Sequence, residues 1–355
     1  MAALTLARAG RSVLLLEGSS DPPFKIGEAL PPAARQLLQE LNLWDGFVSQ
    51  GHLPCYGNLS AWGSSELQCT DFIFDPNGLG WHLDRARFDR LLLQTASEAG
   101  VEVSTGAKSK RCVFSGDRWS ISVSENGSER NLSSRWLIDA TGRRSAVARA
   151  QGVRRHAHDR LVAFFGIFSS RGPVESIDDD SRTLIESVPD GWWYTALLPL
   201  RQRVVVYLTD ADLAPKSPRT TQSFLEQLSR TTHISAALRR YSYAMEAGVK
   251  AVQANSARLA SFTGQGWIAV GDAAMCFDPL SSQGILTALF SGLKAAEAVN
   301  EKLSGEEGKS STSDSFAAYS ERLSKVYDAY LQNRSTFYAQ EERWSIRPFW
   351  RRRHG

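Results

Sequence analysis

The sequence predicts an α/β (α+β) protein: a parallel, helix-covered sheet interrupted by a largely antiparallel one and followed by C-terminal helices. Three observations carry this. A helix built on Leu4, Leu6 and alanines stops at Gly10, and the apolar run Val13–Leu16 then ends on Glu17. A continuous apolar run of that length fits a strand buried on both faces. A second such strand, Trp267–Val270, ends on Gly271-Asp272 and leads through a Pro- and Gly-containing loop into an Ala/Leu-rich helix from Ile285 to about Leu303. Between them, residues 152–250 hold strand-like runs parted by polar, Asp-rich and Pro-containing turns, the pattern of an antiparallel insert.

The opening piece reads as the second half of a dinucleotide-binding βαβ unit. There an acidic residue, here Glu17, accepts hydrogen bonds from a ribose. The first half would be a strand and a Gly-rich turn whose backbone approaches a pyrophosphate. Gly10 and Gly18 do not form that fingerprint. The expectation is therefore an N-terminally truncated unit with exposed edges where a central strand would lie. Arg8, Gly10, Arg11 and Ser12 break the apolar stretch Met1–Leu16, which argues against a secretory signal.

Lys25–Pro32 is a turn into a helix striped with Ala34, Leu37, Leu38 and Leu41. Asp84 is a candidate cap for a helix that runs to about Gly100. Arg85 in its first turn opposes the helix dipole. It reads either as a solvated arginine or as a contact to a ligand's phosphate or polyol chain. Val101-Glu-Val is a short strand, and Asn126-Gly127 marks a hairpin turn. Trp136–Asp139 is a strand that ends in Ala-Thr-Gly142, a small-residue turn that lets backbone approach a nucleotide. Asp139 and Gly142 are thus candidate binding positions. In the insert, His156–Phe168, Trp192–Leu200 and Arg203–Leu208 read as strands. Trp192-Trp193-Tyr194 either packs the sheet or faces a pocket. Backbone N–H groups of Gln283, Gly284 and Ile285 open the long helix and can stabilise negative charge. Residues 306–314 read as a loop. The expected domains are 1–150 with 251–305, an inserted 151–250, and a helical cap over 306–355.

Composition narrows the function. Lys plus Arg total 41 against 38 Asp plus Glu, a net charge of +3. That is too even to favour nucleic acid or a membrane surface. No apolar run reaches the roughly 18 residues of a membrane span. Four scattered cysteines without a CxxC disfavour a disulfide framework and a zinc site and suggest a reducing, cytoplasmic compartment. Ten Trp, 16 Phe and nine Tyr suit either large cores or a pocket for a flat aromatic ligand.

Three separated pieces occur in a set order: the helix–strand–Glu17 piece, Asp139-Ala-Thr-Gly142, and Gly271-Asp272 with Pro279 to Gly284. In this the chain resembles, over most of its length, FAD-dependent oxidoreductases of the para-hydroxybenzoate-hydroxylase superfamily, especially the tryptophan-halogenase-like branch. The resemblance implies a Rossmann-type FAD-binding domain with an inserted substrate-domain sheet. It implies that Glu17 binds the adenosine ribose and Asp272 the ribityl chain. Arg85 would approach the flavin chain, and the loop Pro279–Ile285 would lie along the isoalloxazine.

Two departures matter. Where these halogenases carry WxWxIP, this chain reads Trp192-Trp-Tyr-Thr-Ala-Leu-Leu-Pro199. Where they carry a catalytic lysine, the segments 51–58 and 60–63 have none, and Lys25 precedes the Gly27-Glu28 turn. His52 stands in that region and is the candidate acid/base; His82 and His156 are further polar candidates. Without the amine, the resemblance implies a monooxygenase that hydroxylates an electron-rich aromatic through a flavin C4a-hydroperoxide. The alternatives are a flavin halogenase or double-bond reductase, and a non-catalytic remnant unable to hold FAD. The segments Trp81–Arg85 and Phe337–Arg351 are similar to flavoproteins that hydroxylate a protein Trp during tryptophylquinone maturation. Substrate expectations are therefore an aromatic small molecule or a protein Trp, with NAD(P)H or a flavin reductase as electron donor. The Arg-rich end from Arg343 reads as a cap or a docking surface ahead of a nucleic-acid tail.

Overall fold

Apolar runs that end on an acid become short parallel strands. In the computed structural model, which describes residues 1–19, 25–125, 127–172, 177–214, 220–306 and 314–354, Leu14–Glu17 pairs in parallel with Glu102–Thr105. Leu137–Asp139 pairs in parallel with Trp267–Ala269, which also pairs antiparallel with Thr263–Gly264. These are two separate sheets, and among the described residues no strand joins them. The helix Gly284–Glu306 packs on the N-terminal helix Ala2–Arg8. Gly292 permits the contact, since a Cβ there would meet the Met1 Cβ at 3.1 Å. An antiparallel meander, Ala107–Ser115, Arg118–Glu125 and Ser128–Ser134, covers this core with Trp119, Ile121 and Val123. Its first strand has no clear sequence signal: most of its residues are polar and exposed. The hairpin flanks the expected turn, of which Asn126 lies outside the described residues.

The insert is an eight-stranded, mostly antiparallel sheet built around Leu161–Ser170, Gln202–Asp210, Gly191–Leu198 and Thr183–Val188. Two of its strands, Gly57–Ala61 and Gln68–Asp71, come from well before residue 151, through parallel pairing of Gly57–Ala61 with Thr183–Val188. The run expected at His156–Phe168 is divided. Arg155–Ala157 pairs with Ala257–Leu259, and the sheet strand starts at Leu161. Two helices, Thr221–Leu228 and His233–Arg240, also lie within the insert. They bury Phe224, Leu228, Ile234 and Leu238 against Trp193, Tyr207 and Phe164.

The helix Ser315–Ala339, capped by Asp314, crosses from one core to the other. Tyr319, Leu323, Tyr327 and Tyr330 pack on the parallel-strand side; Tyr338, Phe349 and Trp350 pack on the antiparallel sheet. The expected loop at 306–314 falls largely on 307–313, which lie outside the described residues. The Arg-rich end is held by the chain's own acids: Arg343 on Glu341 at 2.6 Å, Arg347 on Asp190 at 3.0 Å, Arg352 on Asp212 at 2.7 Å and Arg353 on Asp210 at 2.6 Å. Four of the arginines in this end, expected to form a cap or a docking surface, are therefore paired within the molecule, with Arg347 and Arg352 still partly exposed. No helix among the described residues is long and apolar enough to cross a membrane.

Candidate active site

The antiparallel sheet and the parallel strands meet at a cavity of about 790 Å³, within the range of small-molecule and cofactor sites. One wall comes from the helix Arg85–Glu98, from Arg143 and Asp272, and from the segment Phe277–Ile285. The facing wall is the sheet, with Phe165, Thr183, Ile185, Trp192, Tyr194 and Val206. Strand alternation decides which aromatics reach it. Trp192 and Tyr194 face the cavity, while Trp193 turns away to stack on Tyr207 at 4.7 Å and approach Phe224 at 5.0 Å. The turn Lys25–Ala29 closes a third side.

Six of the expected site residues line this cavity: Arg85, Asp272, Pro279, Gln283, Gly284 and Ile285. Asp84 caps the helix by accepting from the Arg87 N–H, which sets Arg85 at the helix start. One Arg85 Nη donates to the Gly27 carbonyl at 2.8 Å, and the other lies 3.3 Å from Asp89. The Arg85 Nε is buried without a partner. Asp272 sits 3.6 Å from the Arg143 guanidinium. Desolvation raises its carboxyl, and Arg143, Arg155 and Arg85 pull it back. Asp278 caps the single turn Pro279–Ser281 through the Leu280 N–H at 3.0 Å. Ser282 then takes a left-handed conformation (φ 51°), from which the chain enters the helix at Gly284.

The other expected residues stand elsewhere. Glu17 ends its strand outside the cavity wall and accepts from the Ser19 N–H at 3.1 Å. Asp139 was expected to contact the cofactor, but its carboxylate is fully buried and already occupied. It accepts from the N–H groups of Thr141, Val147 and Ala148 at 2.9–3.1 Å and from the Thr141 hydroxyl at 2.6 Å. Its work is to hold the turn and cap the helix Ala146–Ala150. Gly142 (φ 65°) supplies the left-handed bend of that turn. Gly271 (φ 53°) lies under the long helix: a Cβ would meet Ala288 at 3.2 Å, and its N–H donates to the Ser291 hydroxyl.

His52, the expected acid/base, is behind the wall and not in it. Its ring packs on Phe47 and Phe88, and its Nδ1 accepts from the Asp84 N–H at 3.2 Å. Burial lowers its pKa to about 4, so it is a neutral packing imidazole. His82 is also buried and lowered to about 4. Its Nδ1 lies 2.8 Å from the Leu197 carbonyl and its Nε2 3.0 Å from the Thr183 hydroxyl. His156 is exposed on an outer strand.

The structure adds a pair that the sequence reading passed over. Glu28 is buried in the cavity wall, takes the Gly27 N–H at 3.1 Å and has the Tyr194 phenol as a neighbour. Desolvation raises the Glu28 carboxyl despite these donors and Arg85, and the Tyr194 phenol is raised well above its usual range. A raised carboxyl in a cleft is a common property of groups that handle protons. The available signal was the Gly27-Glu28 turn itself. Behind the wall, Trp192 Nε1 donates to the Tyr338 hydroxyl at 2.9 Å, and that hydroxyl donates to Asp278 at 2.7 Å. The sheet aromatics are thereby tied to the Pro279 turn.

A buried, unpartnered guanidinium N–H on Arg85, a helix N-terminus on the same wall and two walls able to sandwich a flat ring fit a flavin nucleotide. The chain is an FAD-dependent oxidoreductase. Residues 1–333 match the family described as FAD binding domain, and the chain belongs to that family. It lies in the halogenase-like branch of the para-hydroxybenzoate-hydroxylase superfamily. It is 31% identical over 351 residues to the putative FAD-dependent oxidoreductase LodB of Marinomonas mediterranea, spanning 98% of this chain and 92% of that one. The myxobacterial chondrochloren halogenase CndH superposes with a TM-score of 0.86 at 27% identity, over 99% of this chain and 82% of the other. The peptidyl tryptophan dihydroxylase QhpG shares the fold, with a TM-score of 0.74 and 23% identity over 100% of this chain and 75% of its own. Of the flavin-dependent halogenase gsfI of Penicillium aethiopicum and the tryptophan 2-halogenase of Chondromyces crocatus the chain spans only 62% and 61%.

Proposed function

We propose that this protein is an FAD-dependent monooxygenase that hydroxylates an electron-rich aromatic ring. The observation that carries the reading is the cavity's sheet wall: Phe165, Ile185, Trp192 and Val206 around the Glu28–Tyr194 pair, with no lysine on it among the described residues. A halogenating site of this branch needs an amine near the oxidised halide. The cavity's one described lysine, Lys25, lies in the turn that closes the third side, in an ion pair with Asp89 at 2.9 Å.

When bound, FAD supplies two-electron reduction and activation of O2. One oxygen atom enters a ring C–H bond, the other leaves as water, and reduced nicotinamide supplies two electrons, directly or through a flavin reductase. The chain's residues do the rest. Arg85 and Asp272 hold the cofactor's polar chain, with Arg143 paired to Asp272. The N–H groups of Gly284 and Ile285 at the helix start would offer donors to negative charge on the ring, while the Gln283 N–H donates to the Ser281 hydroxyl at 3.4 Å. The aromatic wall orients the substrate and excludes water. Glu28 accepts a proton within the cavity. The substrate is an aromatic small molecule or a Trp side chain of another protein; the likeness to QhpG supports the second. The test is product mass from the FAD-loaded chain with reductant, O2 and an indole substrate, in the presence and absence of bromide. Hydroxylation independent of halide is expected, and halide-dependent bromination would overturn the reading.

A further inference from the structure

We infer that a chain of tryptophan and tyrosine rings conducts oxidising equivalents from the cavity wall to the surface, where a small soluble hydrogen-atom donor, a thiol or an enediol, quenches them. The path begins at Trp192, which lines the cavity. Between ring centroids, Trp192 lies 6.1 Å from Trp62, Trp62 lies 5.2 Å from Trp350, and Trp350 lies 6.2 Å from Trp344. Tyr338 sits among them, 5.5 Å from Trp62 and 5.9 Å from Trp350, with its hydroxyl bonded to Trp192 Nε1 at 2.9 Å. The inner rings are buried and Trp344 is half-buried. Trp344 Nε1 has no protein acceptor among the described residues and is not sealed from water.

Packing alone explains buried aromatics, but not their order. Indole and phenol lose an electron readily; a phenylalanine ring does not. The other oxidisable clusters do not start at the cavity. Trp193 and Tyr207 stack behind the sheet, Trp44 and Trp81 lie 6.0 Å apart outside the cavity wall, and Tyr330 meets the cavity through Phe277. Protons have places to go as well. Tyr338 donates to the Asp278 carboxylate at 2.7 Å, so its oxidation passes the phenol proton to Asp278 and leaves a neutral radical. Arg334 and Arg353, each 5.1 Å from that ring, would oppose a ring cation. Arg343 lies 4.3 Å from the Trp344 ring, so the exit radical also becomes neutral, by giving its indole proton to water.

Dioxygen activated at the flavin without a substrate to consume it releases partly reduced oxygen. An oxidant of the hydroxyl-radical class derived from it takes one electron from Trp192 and becomes hydroxide. Electrons from Trp62, Trp350 and Trp344 refill the path in turn, and the hydroxide takes up the proton that Trp344 releases. The donor R–H then returns one electron and one proton to Trp344. In sum an O–H bond forms, an R–H bond breaks, and the protein is restored.

The test excites the FAD-loaded chain with a blue laser flash, so that the photoexcited flavin takes the electron from Trp192, and follows the tryptophan-radical absorbance with and without ascorbate. A long-lived neutral radical is expected, and ascorbate should shorten its life. Trp344→Phe should shorten the lifetime several-fold without ascorbate and abolish the ascorbate response. Trp136→Phe, which removes a tryptophan stacked on Phe316 away from the cavity, should change neither. A second readout needs no light: during turnover with reduced nicotinamide, a reductase and O2 but no aromatic substrate, mass mapping should find oxygen added at Trp344, and at Trp350 or Trp192 in Trp344→Phe. A lifetime and ascorbate response unchanged by Trp344→Phe, or oxygen addition confined to Trp192 in the unmutated chain, would overturn the path. Either result leaves the monooxygenase reading in place, because the path does not depend on which product the enzyme makes.

Discussion

Replacing Tyr338 with phenylalanine removes one oxygen atom from the buried link between the two halves of the cavity. That oxygen accepts from Trp192 Nε1 at 2.9 Å and donates to Asp278 at 2.7 Å, with Tyr338 itself fully buried. Two costs follow. The Trp192 N–H becomes an unsatisfied buried donor, worth about 1–3 kcal/mol, and Asp278 loses a hydrogen bond to a charged acceptor, worth roughly 1.5–3 kcal/mol. Asp278 keeps Arg334 at 3.5 Å and the Leu280 N–H, so the two do not add fully. The expected loss is about 2–4 kcal/mol, or a Tm lower by about 3–5 °C. Tyr327 supplies the internal control. Its ring is just as buried, but its hydroxyl has no hydrogen-bond partner. Tyr327→Phe should leave stability unchanged or raise it by up to ~1 kcal/mol. Urea unfolding of both variants, followed by fluorescence and by far-UV circular dichroism, reads the difference. A Tyr338→Phe loss below ~0.5 kcal/mol, or equal losses in the two variants, would refute the reasoning.

Three further expectations concern the cofactor side and pH. Arg85→Met should weaken FAD binding about 10- to 100-fold, the scale of losing charge-assisted hydrogen bonds, measured as retained visible absorbance after dialysis. Gly271→Ala places a Cβ at φ 53° and 3.2 Å from Ala288; it should cost about 2–3 kcal/mol in the same urea assay and loosen FAD. His52 and His82 have folded pKa values of about 4 against 6.5 unfolded. The unfolded chain binds more protons between these values, so their stabilisation is complete above pH 6.5 and is lost as pH falls toward 4, by up to ~3 kcal/mol each. The raised carboxyls of Glu28 and Asp278 act in the opposite direction. His82→Gln should therefore flatten the fall in urea midpoint between pH 6.5 and 4.

The elements the sequence reveals most clearly are those with local causes. The strand before Glu17, the Asp84 cap and the long helix after Gly284 each follow from an apolar period or a cap that needs no distant partner. The strands Gly57–Ala61 and Gln68–Asp71 are different. Their residues are mixed and largely polar; Gly57–Ala61 joins the sheet on a parallel edge that Thr183–Val188 offers more than 120 residues later, and Gln68–Asp71 pairs antiparallel with Gly57–Ala61. The two helices of the insert did leave a mark, with Phe224 and Leu228, and Ile234 and Leu238, four residues apart. The surrounding strand-like runs masked it. Among site residues, the loop from Pro279 to Ile285 was legible because a strand, a Gly-Asp turn and a helix start succeed one another. Glu28 was not, because nothing local says that Tyr194 will close over it. His52 shows the converse: its position in the chain suggested chemistry, but Phe47 and Phe88 enclose it.

The measurement that tests the central claim most directly is mass spectrometry of the product made from indole by the FAD-loaded chain, with a reductase, reduced nicotinamide, isotopically heavy dioxygen and bromide all present. The account predicts one heavy oxygen atom in the product and no bromine. A brominated product, or a hydroxylated one whose oxygen comes from water, would contradict it.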